Sequence, residues 1–159
     1  MPHSNWIHGS AVGIEYPGRI YDGGPNTPRN HPRRAGWGTD VRQRSDTLNW
    51  FHFAIPTQGA DFTSPTEYYT HRIWITYRAR GVVTDAYHAW LGDTQIFRRD
   101  NLDYGPHERL RLTTANFEVP RHRVGPLRPI NVSMRISFPS DVDEMGMVRL
   151  IGAGAFMQD

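Results

Sequence analysis

Two segments of the chain pair a tryptophan with a histidine at the same spacing, NWIH from position 5 and NWFH from position 49. Residues two apart on a β-strand project from the same face, so each indole shares a face with its imidazole. A neutral imidazole has a donor and an acceptor nitrogen for acid–base chemistry or metal binding, and an indole supplies a stacking surface. If the two strands were neighbours, Trp6, His8, Trp50 and His52 would line one pocket.

These pairs have a catalytic and a structural interpretation. In the catalytic one, His8, His52 and His88 perform acid–base chemistry in a Trp/His-lined pocket of an isomerase, a cyclase or a hydrolase. In the structural one, the rings are core aromatics, and His52 satisfies polar groups inside a strand that is covered on both faces. We take the structural interpretation as the working hypothesis, because aromatic side chains dominate protein cores.

The composition excludes several catalytic chemistries. The chain has no cysteine, which rules out disulfides, thiolate nucleophiles and cysteine-ligated zinc. All 18 basic residues are arginine, so no lysine is present to form a Schiff base or a phosphate-loop contact. The eight histidines show none of the spacings H-x-H, H-x-D, H-x-E or H-x-x-x-H, and the sequence lacks a G-x-S-x-G nucleophile motif. We therefore predict neither a metal site nor a cofactor.

Alternating polar residues around a tryptophan indicate a binding surface. Trp74 shares a strand face with Thr70, Arg72, Thr76 and Arg78. An aromatic ring on a polar, solvated face is typical of surfaces on which sugars or protein partners stack. The predicted ligand-binding residues are Trp6, Trp50, Arg72, Trp74 and Arg78. Their ligand is expected to be carbohydrate-like or anionic.

Charge and hydropathy limit the partners. The formal net charge is only +2, and no known nucleic-acid motif accompanies the arginines of segment 18–46, so nucleic acid is not a predicted partner. No window approaches the ~18 apolar residues of a membrane span, and the amino terminus lacks a basic segment followed by an apolar run. These features predict a soluble protein that stays in the cytoplasm or is released without a conventional signal peptide.

Period-two alternation of apolar residues predicts the strands. The alternation is cleanest over 130–138 and is also clear over 68–78. The segment 48–55 is apolar on both faces, which predicts a central strand covered twice. Breaks at Gly81 and Gly92 predict two hairpins in a three-strand meander.

Together these segments predict an all-β, single-domain fold. About eight strands favour an antiparallel β-sandwich of jelly-roll type spanning residues 1–159. The segment 18–46, rich in Arg, Pro and Gly, is longer than the usual connecting loop of a compact domain and is predicted to be a functional loop or an arm. In the last strand, Gly152 and Gly154 are predicted on the face of Val148, where missing side chains allow close approach of backbone or ligand.

Four sequence blocks carry a resemblance to a known family. They read WIHGSAV, GWGT, NWFHFAIPT and, near the carboxyl end, VRLIGAGAF. With these blocks in this order, the chain resembles a family of small bacterial proteins that has no assigned activity. The resemblance spans most of the chain and implies a single-domain, β-rich fold. The arginine-rich part of the long segment, 18–34, departs from the family pattern.

Three functions are compatible with these observations. The first is a binding or assembly module that presents an aromatic and arginine face to a polar ligand or a protein partner. The second is the small-molecule enzyme described above. The third is a self-assembling structural subunit, a homo-oligomer in which edge strands and the long Pro-rich arm contact a neighbouring copy. We favour the first.

Overall fold

The computed structural model describes residues 3–20, 22–24, 27–29, 32–57, 68–124, 129–139 and 146–158. These residues form thirteen β-strands and two 3₁₀ turns, Gly9–Ala11 and Pro17–Arg19. The strands are β1 (His3–His8), β2 (Gly13–Ile14), β3 (Asp22–Gly24), β4 (Thr27–Arg29), β5 (Arg33–Ala35), β6 (Gly38–Arg42), β7 (Thr47–Ile55), β8 (Tyr68–Arg80), β9 (Val83–Leu91), β10 (Thr94–Arg99), β11 (Arg111–Val124), β12 (Ile130–Phe138) and β13 (Met147–Gln158). Among these described residues, no helix is long and apolar enough to cross a lipid bilayer.

Eleven strands form two antiparallel sheets that pack against each other around a hydrophobic core. The six-stranded sheet has the order β11-β8-β13-β6-β5, with β1 also paired to β13. The five-stranded sheet has the order β10-β9-β12-β7-β2, and β3 and β4 form a separate ribbon. The predicted antiparallel sandwich is confirmed, although its strands number eleven rather than eight. The additional strands include β5, with three residues, and β6, with five, which lie in the segment predicted to be a loop or an arm.

The space between the sheets is filled by the alternating apolar residues of the long strands. In β12, every second residue from Ile130 to Phe138 is buried, which confirms the clearest alternation in the sequence. The other main contributors are Phe51, Phe53 and Ile55 of β7 and Ile73, Ile75 and Tyr77 of β8. Full burial of a side chain of this size stabilises the fold by about 1.5 to 3 kcal/mol relative to exposure.

A hydroxyl cluster joins the two sheets inside this core. The Tyr77 hydroxyl on β8 lies 2.8 Å from the Tyr87 hydroxyl and 3.0 Å from Thr84 Oγ1, both on β9. Burial, with the Tyr77 hydroxyl beside it, raises the pKa of Tyr87 far above its ordinary value. The Tyr87 hydroxyl therefore stays protonated even in alkaline solution and can still donate a hydrogen bond between the sheets.

The chain changes sheets at Gly81, where a hairpin is predicted. β8 belongs to the six-stranded sheet and β9 to the five-stranded one, so the predicted meander is wrong at its first connection. Val82 is buried in the core, while Gly81 has a φ of 61° and donates its N–H to the His107 carbonyl. The hairpin predicted at Gly92 is confirmed, since it joins the paired strands β9 and β10. A glycine breaks the alternation at both connections. The connection at Gly81 differs from the one at Gly92 because it crosses to the other sheet and places Val82 in the core.

β7 is covered on one face only. Its outward residues Leu48, Trp50 and His52 are half-buried and Ala54 is exposed, so the predicted double cover is wrong. The strand has β12 along one edge and only the two-residue β2 along the other, so it is not a central strand over most of its length. Large outward side chains make both faces look apolar in the sequence.

Two glycines pack against β13 at the joint where its partner along one edge changes from β6 to β1. Along one edge, β13 pairs with β6 through residues 147–150 and with β1 through residues 152–157. A Cβ atom on Gly9 would lie 1.9 Å from the Leu150 carbonyl oxygen, and one on Gly38 would lie 2.0 Å from the same atom. Gly38 also has a φ of +130°, which residues with a side chain rarely adopt. The joint therefore requires glycine at both positions.

The segment 18–46 contributes to the ribbon and to the six-stranded sheet. It contains β3 and β4, which pair with each other, and β5 and β6, which extend the sheet beyond β13. Ile20 is buried in the core and forms an isolated bridge with Gln43. The described parts of this segment are therefore largely built into the fold.

Candidate functional site

Three strands of the six-stranded sheet place two tryptophans on its outer side. β1, β13 and β8 are neighbours, and their register aligns Trp6 with Gly154 and Gly154 with Trp74. Arg72 and Arg78 lie on the same side of β8 as Trp74. We call this surface the tryptophan face and define it by Trp6, Arg72, Trp74, Arg78, Gly152 and Gly154.

The two indole rings lie over glycines. A Cβ atom on Gly154 would lie 2.3 Å from Cζ2 of Trp74, and one on Gly152 would lie 3.7 Å from Cε3 of Trp6. Trp6 is 60% exposed and Trp74 is half-buried. Because no side chain rises between them, the two residues border an apolar surface about two strand spacings, or ~10 Å, across.

These glycines reach the outer side through an irregularity in β13. The pairing of β13 with β8 shifts register between Leu150 and Gly152, so Val148 and Leu150 point into the core while the glycines point outward. The predicted placement of the glycines on the face of Val148 is wrong, because nothing in the sequence marks the extra residue of a bulge. The close backbone approach is present, since a Cβ atom on Gly152 would lie 2.9 Å from the Ile7 carbonyl oxygen and one on Gly154 would lie 2.7 Å from that of Asn5. The Trp74 ring approaches Gly154 as well.

Polar groups border the tryptophan face along β8 and β11. Arg72 lies 3.6 Å from Glu118 in an exposed ion pair, and the Thr76 hydroxyl lies 3.2 Å from that of Thr114. Arg78 is exposed and has no ion-pair partner among the residues described. The surface therefore combines two flat apolar rings with donors and acceptors that are free or weakly engaged.

The structure brings together four of the five predicted ligand-binding residues. Trp6, Arg72, Trp74 and Arg78 share the tryptophan face, and the sequence alone did not place Trp6 beside Trp74. Trp50 lies on the outer side of the five-stranded sheet, on the opposite side of the sandwich. The predicted pocket that combines both Trp–His pairs is not formed, because β1 and β7 belong to different sheets.

Trp50 lies in a cluster that we call the histidine face and define by Trp50, His52, His88, Asp100 and Arg135. The ring centroids of Trp50 and His88 are 4.6 Å apart, and those of the stacked Trp50 and His52 are 6.5 Å apart. The Arg135 guanidinium lies 5.5 Å from the Trp50 ring centroid. The indole is therefore surrounded by side chains of the protein itself.

Two of the candidate catalytic histidines bind serine side chains, in separate places. On the outer side of β1, His8 Nδ1 lies 2.9 Å from Ser10 Oγ. On the histidine face, His52 Nε2 lies 3.3 Å from Glu15 Oε2, and its Nδ1 lies 2.8 Å from Ser133 Oγ. A carboxylate, a histidine and a serine linked in this order are the groups that activate a serine nucleophile in some enzymes. Ser133 is only 2% exposed, however, so a substrate cannot reach its hydroxyl. The catalytic roles stay predictions.

Asp100 holds the third candidate histidine. His88 Nε2 donates to Asp100 Oδ1 over 2.7 Å, and Arg98 Nε donates to the other oxygen of the same carboxylate. These hydrogen bonds, that of His88 first, hold the pKa of Asp100 below its ordinary value of 3.8. The carboxylate therefore stays ionised in moderately acidic solution.

Substituting Asp100→Asn is expected to flatten the acid dependence of stability. A carboxyl group with a lowered native pKa stabilises the fold above its unfolded pKa and loses that contribution as the pH falls below it. The wild type should therefore lose stability more steeply than the variant between about pH 5 and about pH 2. Urea denaturation at several pH values measures this, with Asp93→Asn in the exposed β9–β10 turn as the control. Parallel curves for wild type and Asp100→Asn would contradict the pairing with His88.

Two cavities are lined by residues outside the two sets that define these faces, although Thr114 at the border of the tryptophan face lines the second of them. One of about 510 Å³ is lined by residues that include Tyr16, Arg19 and Leu48, and one of about 470 Å³ by residues that include Arg99 and Tyr104. Neither is lined by a residue that defines the tryptophan face or the histidine face. Within the described ranges, no group of three or more histidines and carboxylates is arranged to hold a metal ion.

No protein-family model matches the sequence, and no curated protein matches it. The resemblance to the bacterial family therefore stays a prediction. Similarity to solved structures defines the class of fold, which is a jelly-roll β-sandwich as predicted.

Three solved structures illustrate this similarity. The C-terminal CBM6 of LamC, a marine laminarinase from Zobellia galactanivorans, is 12% identical over 96% of this chain and 99% of that chain, with a TM-score of 0.50. A chain of infectious bursal disease virus, Gx strain, is 11% identical over 99% of this chain and 32% of that chain, with a TM-score of 0.45. The Carbohydrate-Binding Module CBM36, in complex with calcium and xylotriose, is 10% identical over 96% and 97%, with a TM-score of 0.35. At 12% identity, the likeness to CBM6 shows the fold alone.

Proposed function

We propose that this protein is a binding module that holds a saccharide on the tryptophan face. The observation that carries the proposal is the position of Trp6, which is 60% exposed beside Trp74, whose ring lies over Gly154. An indole exposed to this degree lacks the stabilisation of burial unless a ligand covers it. The apolar C–H side of a sugar ring packs on an indole and leaves the sugar hydroxyls free for hydrogen bonds.

Groups that bind hydroxyls surround the two rings. Arg72 and Arg78 supply N–H donors, and Thr76 supplies a hydroxyl that both donates and accepts. All three lie on the side of β8 that carries Trp74. A few convergent polar groups around an apolar surface orient a polar ligand. The fold of the CBM6 module agrees with this proposal.

The histidine face is less suited to stacking. Trp50 there has His52 and His88 beside its ring and the Arg135 guanidinium 5.5 Å from its centroid. A ligand would have to displace these side chains before it could stack. The aromatic neighbour described for Trp6 is His8, edge-on at 6.4 Å between centroids, and most of the Trp6 surface is open to solvent.

Trp6→Ala is expected to weaken saccharide binding by about 30-fold, since an aromatic at the centre of a binding surface contributes about 2 kcal/mol. Trp74→Ala should act in the same direction. Native gel electrophoresis in gels that contain a soluble polysaccharide measures the retardation of each variant. Neutral xylan and hydroxyethylcellulose, together with acidic derivatives, are the first probes.

Tyr104→Ala is the matched control for these variants. It removes an aromatic side chain that is 50% exposed in the β10–β11 connection, outside the tryptophan face. The control should be retarded like the wild type. Equal retardation of wild type and Trp6→Ala, or no retardation of the wild type by any neutral or acidic polysaccharide, would refute the proposed function.

A further inference from the structure

The outer side of the six-stranded sheet carries an excess of positive charge. The register places six arginines and two acidic residues on this side of β5, β6, β8, β13 and β11 up to position 118: Arg33, Arg42, Arg72, Arg78, Arg80, Arg149, Asp40 and Glu118. The formal excess of four positive charges is larger than the net +2 of the whole chain. Within the described strands, the exposed indole therefore lies on a sheet surface with more arginines than carboxylates.

The histidine face shows that this imbalance is local. There, Arg135 Nε lies 3.1 Å from Asp85, and Arg98 donates to Asp100. Both arginines thus have a carboxylate partner on their own side of the sandwich. The arginine excess is a property of the tryptophan side rather than of the surface as a whole.

The arginines beside the indoles differ in how far they are neutralised. Arg149 forms a bidentate pair with Asp40 at 2.6 and 2.9 Å. Arg78 lies directly opposite Arg149 on the neighbouring strand and has no acidic partner within the described chain. Among the described residues, the ion pair of Arg72 is its exposed contact with Glu118. Because Asp40 already neutralises Arg149, a bound anion would pair with Arg78 rather than with Arg149.

The shape of the surface favours an extended ligand. Along β8, Arg72 is about 7 Å and Arg78 about 13 Å from Trp74, at ~3.3 Å per residue and in opposite directions. The two cavities described above are lined by other residues. Stacking rings on the open surface of a sheet, with cations in both directions along β8, suit a chain of sugars better than a small enclosed molecule.

We propose that the tryptophan face binds an acidic polysaccharide, whose sugar rings stack on Trp6 and Trp74 and whose carboxylate or sulfate groups pair with Arg72 and Arg78. This inference rests on the proposed saccharide-binding function and adds the charge class of the ligand. The planar guanidinium matches the paired oxygens of a carboxylate or a sulfate, which gives these contacts geometric specificity. Because the pairs are exposed, salt weakens them.

Three soluble cellulose derivatives with one backbone test the inference. Hydroxyethylcellulose is neutral, carboxymethylcellulose carries carboxylates, and cellulose sulfate carries sulfates. In tryptophan-fluorescence titrations, the dissociation constant for at least one acidic derivative should be at least ~10-fold lower than for the neutral one at about 20 mM salt, and the difference should shrink at about 200 mM. A preference between the two acidic derivatives identifies the anionic group that is bound.

Arg78→Gln is expected to remove most of this advantage, because it weakens binding of the acidic derivatives far more than binding of hydroxyethylcellulose. Arg109→Gln removes the same charge from an exposed position in the β10–β11 connection and should behave like the wild type. Unchanged circular dichroism and melting temperature show that both variants are folded.

The possible results separate the inference from the proposed function. Equal binding of neutral and acidic derivatives, lost in Trp6→Ala and unchanged in Arg78→Gln, would overturn the charge preference and leave saccharide binding intact. Binding of none of the derivatives would overturn both. Tighter binding of single-stranded oligothymidylate than of either acidic derivative would identify nucleic acid as the partner and overturn the polysaccharide assignment.

Discussion

Gly38→Ala is expected to lower the free energy of unfolding by roughly 2 to 6 kcal/mol, because backbone strain and overpacking each cost about 1 to 3 kcal/mol. A Cβ atom at this position would lie 2.0 Å from the Leu150 carbonyl oxygen, and this backbone atom cannot move without disturbing β13. The φ of +130° adds strain for any residue with a side chain. The substitution therefore forces β6 away from β13 at the joint that both strands share with β1.

Gly36→Ala, two residues earlier in the β5–β6 turn, is the matched control. A Cβ atom on Gly36 meets no described atom within 4 Å. The stability of this variant should stay within about 0.5 kcal/mol of the wild type. Urea denaturation followed by tryptophan fluorescence compares the three proteins. Equal midpoints for Gly38→Ala and Gly36→Ala would show that the joint tolerates a side chain.

Gly154→Ala is expected to abolish saccharide binding and to cost about 1 to 3 kcal/mol of stability through overpacking. The added methyl group would lie 2.3 and 2.6 Å from two ring atoms of Trp74 and 2.7 Å from the Asn5 carbonyl oxygen. The Trp74 ring must therefore lift from the sheet, and β1 must shift with Trp6 on it. Either movement removes the surface on which a sugar would stack.

Gly18→Ala is the control for this variant, since a Cβ atom on Gly18 has no described neighbour within 4 Å. Near-ultraviolet circular dichroism measures the change in the tryptophan environment, and polysaccharide gels measure binding. If Gly154→Ala keeps both the wild-type spectrum and the wild-type retardation, the binding surface does not require a glycine at position 154.

The long strands of this fold are predictable from the sequence. A strand that is buried on one side shows a direct period-two pattern, and the segments 130–138 and 68–78 show it clearly. The polar side of β8 is predictable for the same reason. It contains three residues of the tryptophan face, Arg72, Trp74 and Arg78.

The neighbours of each strand are not predictable in this way. Trp6, Trp74 and Gly154 come from three distant parts of the chain, and only the strand order places them in one row. Gly81 shows the same limit at a connection, since a glycine breaks the alternation both where the chain turns back and where it crosses to the other sheet. Contacts between strands far apart in sequence leave no local pattern.

The repeated Trp–His pattern has a different surrounding in each copy. The His52 side chain is 35% exposed and bonded to Ser133 and Glu15, so the prediction of a histidine inside a doubly covered strand is wrong. The outward side of β7 looks like a core in the sequence because it carries the large rings of Trp50 and His52, and in the structure these rings pack with His88 of β9 on the sheet surface. Catalysis by these histidines and self-assembly of the chain stay predictions.

During synthesis, β1 leaves the ribosome long before β13, its only strand partner in the described chain. Because β13 lies between β8 on one edge and β1 with β6 on the other, none of these strands can pair with it until residues 147–158 have been made. Sandwiches built from such non-local pairings fold slowly, in milliseconds to seconds. Until β13 has been made and has paired, the apolar sides of β1, β6 and β8 are exposed to aggregation or to chaperones. The two indoles therefore meet only after translation has passed the strand that lies between them.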